Sequence, residues 1–330
     1  MVAAPRKVAA IRFRERRGTS EAAVSMQRDK ALDHVASPVT LGTIRRALRV
    51  EQWVKNLLVF LPLVMGREVG EPRLYDDALL AFFAFSLCAS AVYVLNDLVD
   101  LEADRRHETK RHRPFAAGEL SAPLGWMLGV LCVVVGAMLA SRLPALFAIV
   151  LVVYLVVTTL YTFWLKHVPL VDVITLGLLY TGRVIAGGAA TYVMPSPWIL
   201  AFSLFFFVSL AFVKRYAELY ALRRRESSLK TRGYYPSDLE LITIFGVASA
   251  YMSVLVAALY INGDYAVGIY RHPAVLWLIC PLLLYWVSRM WMLAHRGEMH
   301  EDPVLFAVRD ATSWLLGAVL ALVLLAARLL

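Results

Sequence analysis

Leu143-Pro144-Ala145-Leu146-Phe147-Ala148-Ile149-Val150-Leu151-Val152-Val153-Tyr154-Leu155-Val156-Val157-Thr158-Thr159-Leu160-Tyr161-Thr162-Phe163-Trp164-Leu165 runs from Arg142 to Lys166 without a charged side chain. At about 1.5 Å per residue such a run is long enough to cross the roughly 30 Å hydrocarbon core of a bilayer as a helix. Leu124–Ala140 and Pro197–Val213 are further runs of this kind. In lipid a single segment satisfies its own backbone only as a helix, so the chain reads as an all-α, polytopic membrane protein. Composition agrees, with 60% hydrophobic and 18% charged residues among 330, where soluble domains carry about 45–50% and 25%. These values exclude a water-soluble enzyme and disorder for most of the chain. The three cysteines, Cys88, Cys132 and Cys280, stand in apolar runs without metal-like spacing, which makes them packing residues rather than a disulfide framework.

Hydropathy and breaking residues predict nine spans, near 50–66, 77–97, 122–141, 144–164, 169–191, 197–213, 239–261, 273–294 and 309–328. Ahead of them, residues 1–44 carry Arg6, Lys7, Arg12, Arg14, Arg16 and Arg17 with no apolar stretch behind. This segment reads as a disordered basic cytoplasmic tail, either a topology signal that touches anionic lipid or a regulatory or partner-binding element. Residues 45–330 then form a single transmembrane catalytic domain. With the N-terminus inside, segments 98–121, 165–168, 214–238 and 295–308 face the cytoplasm and hold most of the remaining Lys and Arg, while the opposite loops hold Arg67, Arg73, Arg142 and Arg271. The positive-inside rule is thereby met. It also accounts for the net charge of +9 without a nucleic-acid partner.

Chemistry concentrates at that cytoplasmic face. In Asn96-Asp97-Leu98-Val99-Asp100-Leu101-Glu102-Ala103-Asp104, helical rotation places Asp97, Asp100 and Asp104 within roughly 60° of one another. Three carboxylates so close to the membrane repel one another unless a cation neutralises them. Mg²⁺ suits the stripe, because it takes hard oxygen ligands and completes its shell with water and substrate phosphates; the alternative is a solvated helix end. Lys110, Arg111 and Arg113 follow, with Pro114 and Gly118, and metal beside ammonium and guanidinium groups is a layout for diphosphate. Taken alone, the same basic run is a topology signal.

Other charged residues leave alternatives open. Asp172 and Arg183 share one face of span five with Leu176 and Tyr180; Asp172 reads as a structural ion pair or a cavity residue, and Arg183 also as a phosphate ligand. Lys55, in Gln52-Trp53-Val54-Lys55-Asn56, either snorkels to the headgroups or binds phosphate. Lys214 and Glu218 lie at i,i+4 and form a helical ion pair or a wall of the acidic site. The stretch Gly297–Pro303, with Arg309 and Asp310, is a lid or, preferably, a loop anchor.

The Asn-Asp-x-x-Asp-x-x-x-Asp stretch at 96–104, the Arg-Pro-x-x-x-Gly stretch at 113–118 and the nine helices together resemble the UbiA superfamily of intramembrane prenyltransferases over about residues 45–328. In most members a second Asp-x-x-x-Asp motif after span six binds another Mg²⁺; here that place reads Lys214-Arg215-Tyr216-Ala217-Glu218. Gln52–Asn56, Tyr216–Leu219 and Glu301-Asp302-Pro303 are similar instead to the actinobacterial decaprenyl-phosphate phosphoribosyltransferase branch. The resemblance implies transfer of 5-phosphoribose from phosphoribosyl pyrophosphate to decaprenyl phosphate at a bacterial plasma membrane, for a precursor of cell-wall arabinose. It implies Mg²⁺ on Asn96, Asp97, Asp100 and Asp104, with catalysis resting on the three aspartates. It implies substrate contacts from Lys55, Asn56, Lys110, Arg113, Lys166, Arg183, Lys214, Tyr216 and Glu218, and it leaves room for a homo-oligomer. Two competing functions predict other features. A UbiA-type prenyltransferase acting on an aromatic or other acceptor calls for the second aspartate motif, and a secondary transporter calls for charges spread through the membrane depth. The Asp-Gly-x-x-Ala-Arg signature of CDP-alcohol phosphotransferases is absent.

Overall fold

The computed structural model describes residues 39–66, 70–106, 110–224, 231–299 and 302–329; most of the basic tail expected over 1–44 therefore lies outside the described residues. Helix α1 (Leu41–Ala47) starts within that expected tail, capped by Thr40, whose hydroxyl accepts from the Thr43 N–H. A 3₁₀ segment (Val50–Phe60) runs into α2 (Leu61–Met65). The long helices are α3 (Pro72–Val99), α5 (Ala122–Ala140), α6 (Ala145–Phe163), α7 (Val171–Thr191), α8 (Pro197–Arg224), α9 (Leu239–Ile261), α11 (Ile279–His295) and α13 (Ala311–Leu329). Short helices α4 (Leu101–Arg106), α10 (Asp264–Ile269) and α12 (Pro303–Arg309) lie between them. Among the described residues, β-pairing is limited to one isolated bridge, Thr231 with Tyr234.

Eight helices are long and apolar enough to cross a membrane. The span expected at 50–66 is not among them, because it is built differently. At about 2.0 Å per residue, its 3₁₀ part and α2 together reach about 30 Å. The segment runs from the end of the bundle that holds Lys55 to the far end, where Gly66 accepts a hydrogen bond from Arg328. Span six also differs from expectation. No glycine or proline interrupts the chain after Pro197, so α8 continues to Arg224 and carries Lys214–Glu218 within the helix.

Helix α7 is the axis of the bundle, with 72% of its apolar window buried against 11% for α13. One core cluster joins Val173 and Tyr180 of α7 to Phe207, Leu210 and Phe212 of α8 and to Met290 and Trp291 of α11. The other joins Leu179, Ala186 and Ala190 of α7 to Phe85 and Ala89 of α3 and to Phe147 and Tyr154 of α6. Peripheral helices present Trp126, Val130, Ile149, Val153, Trp314 and Leu322 outward, the apolar exterior that suits lipid.

The 3₁₀ segment approaches α7 so closely that only glycine fits at position 187: a Cβ there would lie 1.9 Å from the Val59 carbonyl oxygen. Gly182, five residues earlier, has open space around it. Gly187→Ala therefore forces backbone apart and is expected to lower stability by about 1–3 kcal/mol or more, whereas Gly182→Ala should raise it by about 0.5–1 kcal/mol through helix propensity. Thermal denaturation of the two variants in detergent, with Tm shifts of opposite sign, checks the packing.

Candidate active site

The acidic stretch closes one end of the bundle. Asp100 caps α3 while its N–H donates to the Asn96 carbonyl, and the Asp104 N–H donates to the Asp100 carbonyl, so the helical path continues with a break of one residue. Asp97 and Asp104 come together on Arg113, whose Nη1 lies 3.2 Å from Asp97 Oδ1 and 2.6 Å from Asp104 Oδ2. Asp97 Oδ1 also accepts from Arg49 at 2.5 Å. Asp100 stands apart, 40% exposed, with Lys166 Nζ at 3.8 Å. Lys110 Nζ is 4.0 Å from Asp104. Burial and the neighbouring Arg113 push the Lys110 ammonium below its ordinary pKa, against the opposing pull of Asp104.

The three aspartates thus do not converge on one point, because arginines hold two of them. Among the described residues no group of three or more His, Cys, Asp or Glu side chains is arranged to hold a metal. One oxygen is nevertheless left over, since Asn96 Oδ1 is buried with no hydrogen-bond partner. Asn96 and Asp100 both line a cavity of about 580 Å³ with Lys110, Arg113, Lys166 and Arg232. An orphaned amide oxygen beside a half-exposed carboxylate is a hard-donor pair that fits Mg²⁺.

A second cavity, about 230 Å³, adjoins the first through shared walls at Arg49, Asn96, Tyr161, Thr162 and Arg232. The three-residue period of the 3₁₀ segment builds one side of it. Gln52 and Lys55 face the cavity, while Trp53 and Asn56 turn to α3, donating to Ser90 and Ser86 at 2.9 Å each. Asp302 Oδ2 gathers Lys55 at 2.9 Å and Lys214 at 3.0 Å, and its Oδ1 caps α12 through the Val304 N–H at 3.2 Å. The anchoring role expected for this segment thus resides in Asp302; His300 and Glu301 lie outside the described residues. Burial alone would raise the Asp302 pKa, but Lys214 and Lys55 outweigh it and hold the carboxyl well below the usual carboxylate range. Arg183 is 5% exposed and donates to Asn56 Oδ1 (2.8 Å), the Leu179 carbonyl (2.5 Å) and the Tyr154 hydroxyl (2.9 Å), with the rings of Tyr154, Tyr180 and Phe85 around it.

Lys55, Lys110, Arg113, Lys166, Arg183 and Lys214 therefore line the two cavities together with Asn96 and Asp100. Asn56, Tyr216 and Glu218 do not. Asn56 is committed to Ser86 and Arg183, and Tyr216 packs on Trp291 and hydrogen-bonds His295 at 3.1 Å. Glu218 pairs with Arg215 of its own helix and approaches Arg232 at 4.0 Å, while Lys214 pairs with Asp302, and these partners replace the expected Lys214–Glu218 pair. Asp172 follows the structural alternative, 2.7 Å from the fully buried Arg215 and 3.3 Å from the Tyr234 hydroxyl. Arg49 and Arg232 are further cavity residues; Arg232 lies in the segment 214–238 that reads as a topology signal, and Arg49 has no assigned role. Both have positive φ (50° each). Arg232 reaches the Tyr161 hydroxyl at 2.8 Å from a tight turn whose Gly233, at φ 83°, leaves no room for a Cβ against the His167 carbonyl.

A model of the UbiA prenyltransferase family matches residues 57–316. The chain is 37% identical over 298 residues to nodulation protein NoeC of Azorhizobium caulinodans, covering 88% of this chain and 95% of that protein. It is 39% identical over 189 residues to decaprenyl-phosphate phosphoribosyltransferase of Mycobacterium tuberculosis, covering 56% of this chain and 63% of that one. A longer relative, the uncharacterized protein y4nM of Sinorhizobium fredii, is 41% identical over 83% of this chain, which spans 54% of it. Among solved structures, a UbiA homolog from Archaeoglobus fulgidus bound to GPP and Mg²⁺ superposes with a TM-score of 0.65 at 15% identity, over 86% of this chain and 99% of that one.

Two outcomes follow from the ion pairs. Arg113→Ala leaves Asp97 and Asp104 facing each other without their shared cation and should cost about 1–3 kcal/mol, less than a fully buried pair because Arg113 is 28% exposed; adding Asp104→Asn should restore part of it, as thermal denaturation of the single and double variants would show. The depressed Asp302 pKa means that its stabilising contribution is complete above the unfolded value of about 3.9 and disappears only as pH falls through the lower folded value. Hydrogen exchange at the Val304 amide, corrected for intrinsic rate, should stay slow from pH 8 to about pH 4, and should accelerate across that range in Asp302→Asn.

Proposed function

The chain belongs to the UbiA prenyltransferase family, and on that premise we propose that it moves 5-phosphoribose from phosphoribosyl pyrophosphate to a polyprenyl phosphate such as decaprenyl phosphate. The observation that carries this is the charge of the α8 wall. Where most family members are expected to carry a second aspartate pair, Lys214 faces the cavity and Glu218 is bound to Arg215. A cationic wall suits two phosphate-bearing substrates better than one prenyl diphosphate and an aromatic acceptor that carries no phosphate. The partial likeness to the mycobacterial phosphoribosyltransferase supports the same choice.

The acceptor phosphate is largely ionised at neutral pH, its second pKa being about 6, so its oxygen is already a nucleophile and no general base is needed. That oxygen bonds to the anomeric carbon as the bond from that carbon to pyrophosphate breaks, and the pyrophosphate leaves with the electron pair. In-line attack inverts the carbon. Asn96 and Asp100 would hold Mg²⁺, with Asp97 and Asp104 beside them, and the ion would neutralise charge on the pyrophosphate. Lys110, Arg113, Lys166 and Arg232 hold phosphate oxygens, and Arg49 competes with Arg113 for Asp97, fixing how far each guanidinium can reach. Arg183, held rigid by Asn56, Leu179 and Tyr154, supplies a fixed positive charge at depth. The positive-inside pattern supports a cytoplasmic orientation for this end of the bundle; in a bacterial plasma membrane the product would serve as a lipid-linked pentose donor for cell-wall arabinose.

Purified protein in detergent should release pyrophosphate from phosphoribosyl pyrophosphate only with Mg²⁺ and polyprenyl phosphate both present. Asp100→Asn should lower kcat by about 100-fold or more without shifting Tm. Turnover of geranyl diphosphate with 4-hydroxybenzoate, and none with phosphoribosyl pyrophosphate, would replace this assignment by conventional prenyl transfer.

A further inference from the structure

Lys166 and Arg232 both line the larger cavity, and among the described residues neither has a carboxylate closer than 3.8 Å. Lys166 Nζ stands 3.8 Å from Asp100, and Arg232 Nε stands 4.0 Å from Glu218. The one close partner of this pair of cations is neutral, the Tyr161 hydroxyl, to which Arg232 donates at 2.8 Å. Cations tethered so loosely by their side chains take their spacing from the backbone that carries them. Lys166 belongs to the connection between α6 and α7, and Arg232 to the described part of the connection between α8 and α9.

The turn that follows Lys166 is strained. Leu170 has φ 65° and ψ −44°, and the Val171 N–H donates across it to the Pro169 carbonyl at 2.8 Å. This is a γ-turn of the rare hand, which a residue with a side chain adopts only when its surroundings impose it. The Leu170 side chain, 43% exposed, offers little packing in return. A phenol from the other connection holds the turn instead. The Leu170 N–H donates to the Tyr234 hydroxyl at 2.7 Å, and that hydroxyl donates in turn to Asp172 Oδ1 at 3.3 Å. Asp172 is fixed by the buried Arg215, so the phenol stands against a rigid post.

Tyr234 also closes the turn that carries Arg232. Thr231 and Tyr234 exchange backbone hydrogen bonds at 3.0 and 2.9 Å around Arg232 and Gly233. Gly233 sits so close to the first connection that a Cβ would lie 2.6 Å from the His167 carbonyl oxygen. One residue thus shapes the Arg232 turn through its backbone and the Lys166 turn through its hydroxyl. Its ring is 2% exposed, packed in the core cluster of α7, α8 and α11, and lines neither cavity.

We propose that Tyr234 is a positioning residue of the diphosphate site: its hydroxyl locks the α6–α7 turn to the α8–α9 turn and so sets the span over which Lys166 and Arg232 grip phosphate oxygens. A phenol can do this because it accepts and donates at once; phenylalanine fills the same core space and does neither. Without the hydroxyl, Leu170 relaxes toward negative φ, and Lys166, four residues earlier, shifts relative to Arg232. That the diphosphate is phosphoribosyl pyrophosphate rests on the transfer proposed above; the coupling of the two turns does not. Binding through Lys166 and Arg232 is made to the diphosphate before as well as during transfer, so its loss is read in KM rather than in kcat.

Full-length protein in detergent is assayed for KM and kcat with undecaprenyl phosphate as acceptor and, separately, titrated with inorganic pyrophosphate plus Mg²⁺ by calorimetry. Tyr234→Phe should raise the KM for phosphoribosyl pyrophosphate and weaken pyrophosphate binding by about tenfold each. It should keep kcat within about twofold and leave the KM for undecaprenyl phosphate unchanged. In a Lys166→Gln background the same substitution should add less than about twofold, because it acts through that lysine. Leu170→Gly, which takes positive φ freely, should return most of the lost affinity when combined with Tyr234→Phe. A role in packing alone predicts a lower Tm for Tyr234→Phe with KM and pyrophosphate affinity unchanged, and that result overturns the proposal. A full additional tenfold loss in the Lys166→Gln background overturns it as well. If pyrophosphate binding depends on the Tyr234 hydroxyl and phosphoribosyl pyrophosphate is not turned over, the positioning stands and the reaction falls. If phosphoribosyl pyrophosphate is turned over with the same KM by wild type and Tyr234→Phe, the reaction stands and the positioning falls.

Discussion

A charged group buried in an apolar bundle must find a counter-charge, and this requirement organises the whole end of the molecule that carries the chemistry. Arg215 has no exposed surface and is held by Asp172 of α7 and Glu218 of α8. Asp97 is answered by Arg49 and Arg113, and Asp302 by Lys55 and Lys214. Apart from Arg215–Glu218, which lies within α8, each pair joins different segments of the chain. Ion pairing therefore decides which elements meet there, while the far end and the lipid-facing surface are left to apolar packing. Removing one partner of such a pair strands a charge, at a cost of about 3–5 kcal/mol when fully buried, which is why the register of these helices has little freedom to slip.

Much of this was legible in the sequence because the relevant signals are local. An uncharged run such as Leu143–Leu165 has few ways to exist except as a helix in lipid, and α6 duly occupies Ala145–Phe163. The acidic stretch also carries its own geometry. Seven residues of helical rotation bring Asp104 to within about 20° of Asp97, whereas Asp100 falls about 60° away. That difference is what the structure displays: Asp97 and Asp104 share Arg113, and Asp100 meets Lys166 on its own. A stripe drawn as one face contained two directions.

Other features depend on partners that no local pattern reveals. The apolar residues of 50–66 read equally well at a period of three or of 3.6, so the 3₁₀ geometry that turns Lys55 to the cavity and Asn56 away from it was not visible in them. Asn56 carries a polar side chain beside a candidate ligand, yet its use is to orient Arg183 from across the bundle. Arg232 sat within a basic loop that topology already accounted for, Arg49 stood between the expected tail and the first span with no local pattern to mark it, and both take left-handed backbone turns at the cavity. Lys214 and Glu218 have ideal spacing for each other, but Asp302 and Arg215 are better placed partners inside the packed site.

Shared architecture does not by itself select a reaction, since one scaffold hosts different chemistries through the residues grafted on it. The helices of this bundle superpose on those of a homolog that binds a prenyl diphosphate, and its acidic stretch keeps the oxygen donors such a substrate would need. Opposite that stretch stands the α8 wall. With lysine at position 214 on the cavity and Glu218 tied to Arg215, that wall carries positive charge. On the proposed reading, one phosphate group meets the metal-compatible side and another meets fixed ammonium and guanidinium groups. Lys55, Lys214 and Arg183 have Asp302 as their sole carboxylate partner among the described residues, at a depth where such an imbalance is costly. That surplus of positive charge is why the reading proposed above gives both substrates a phosphate.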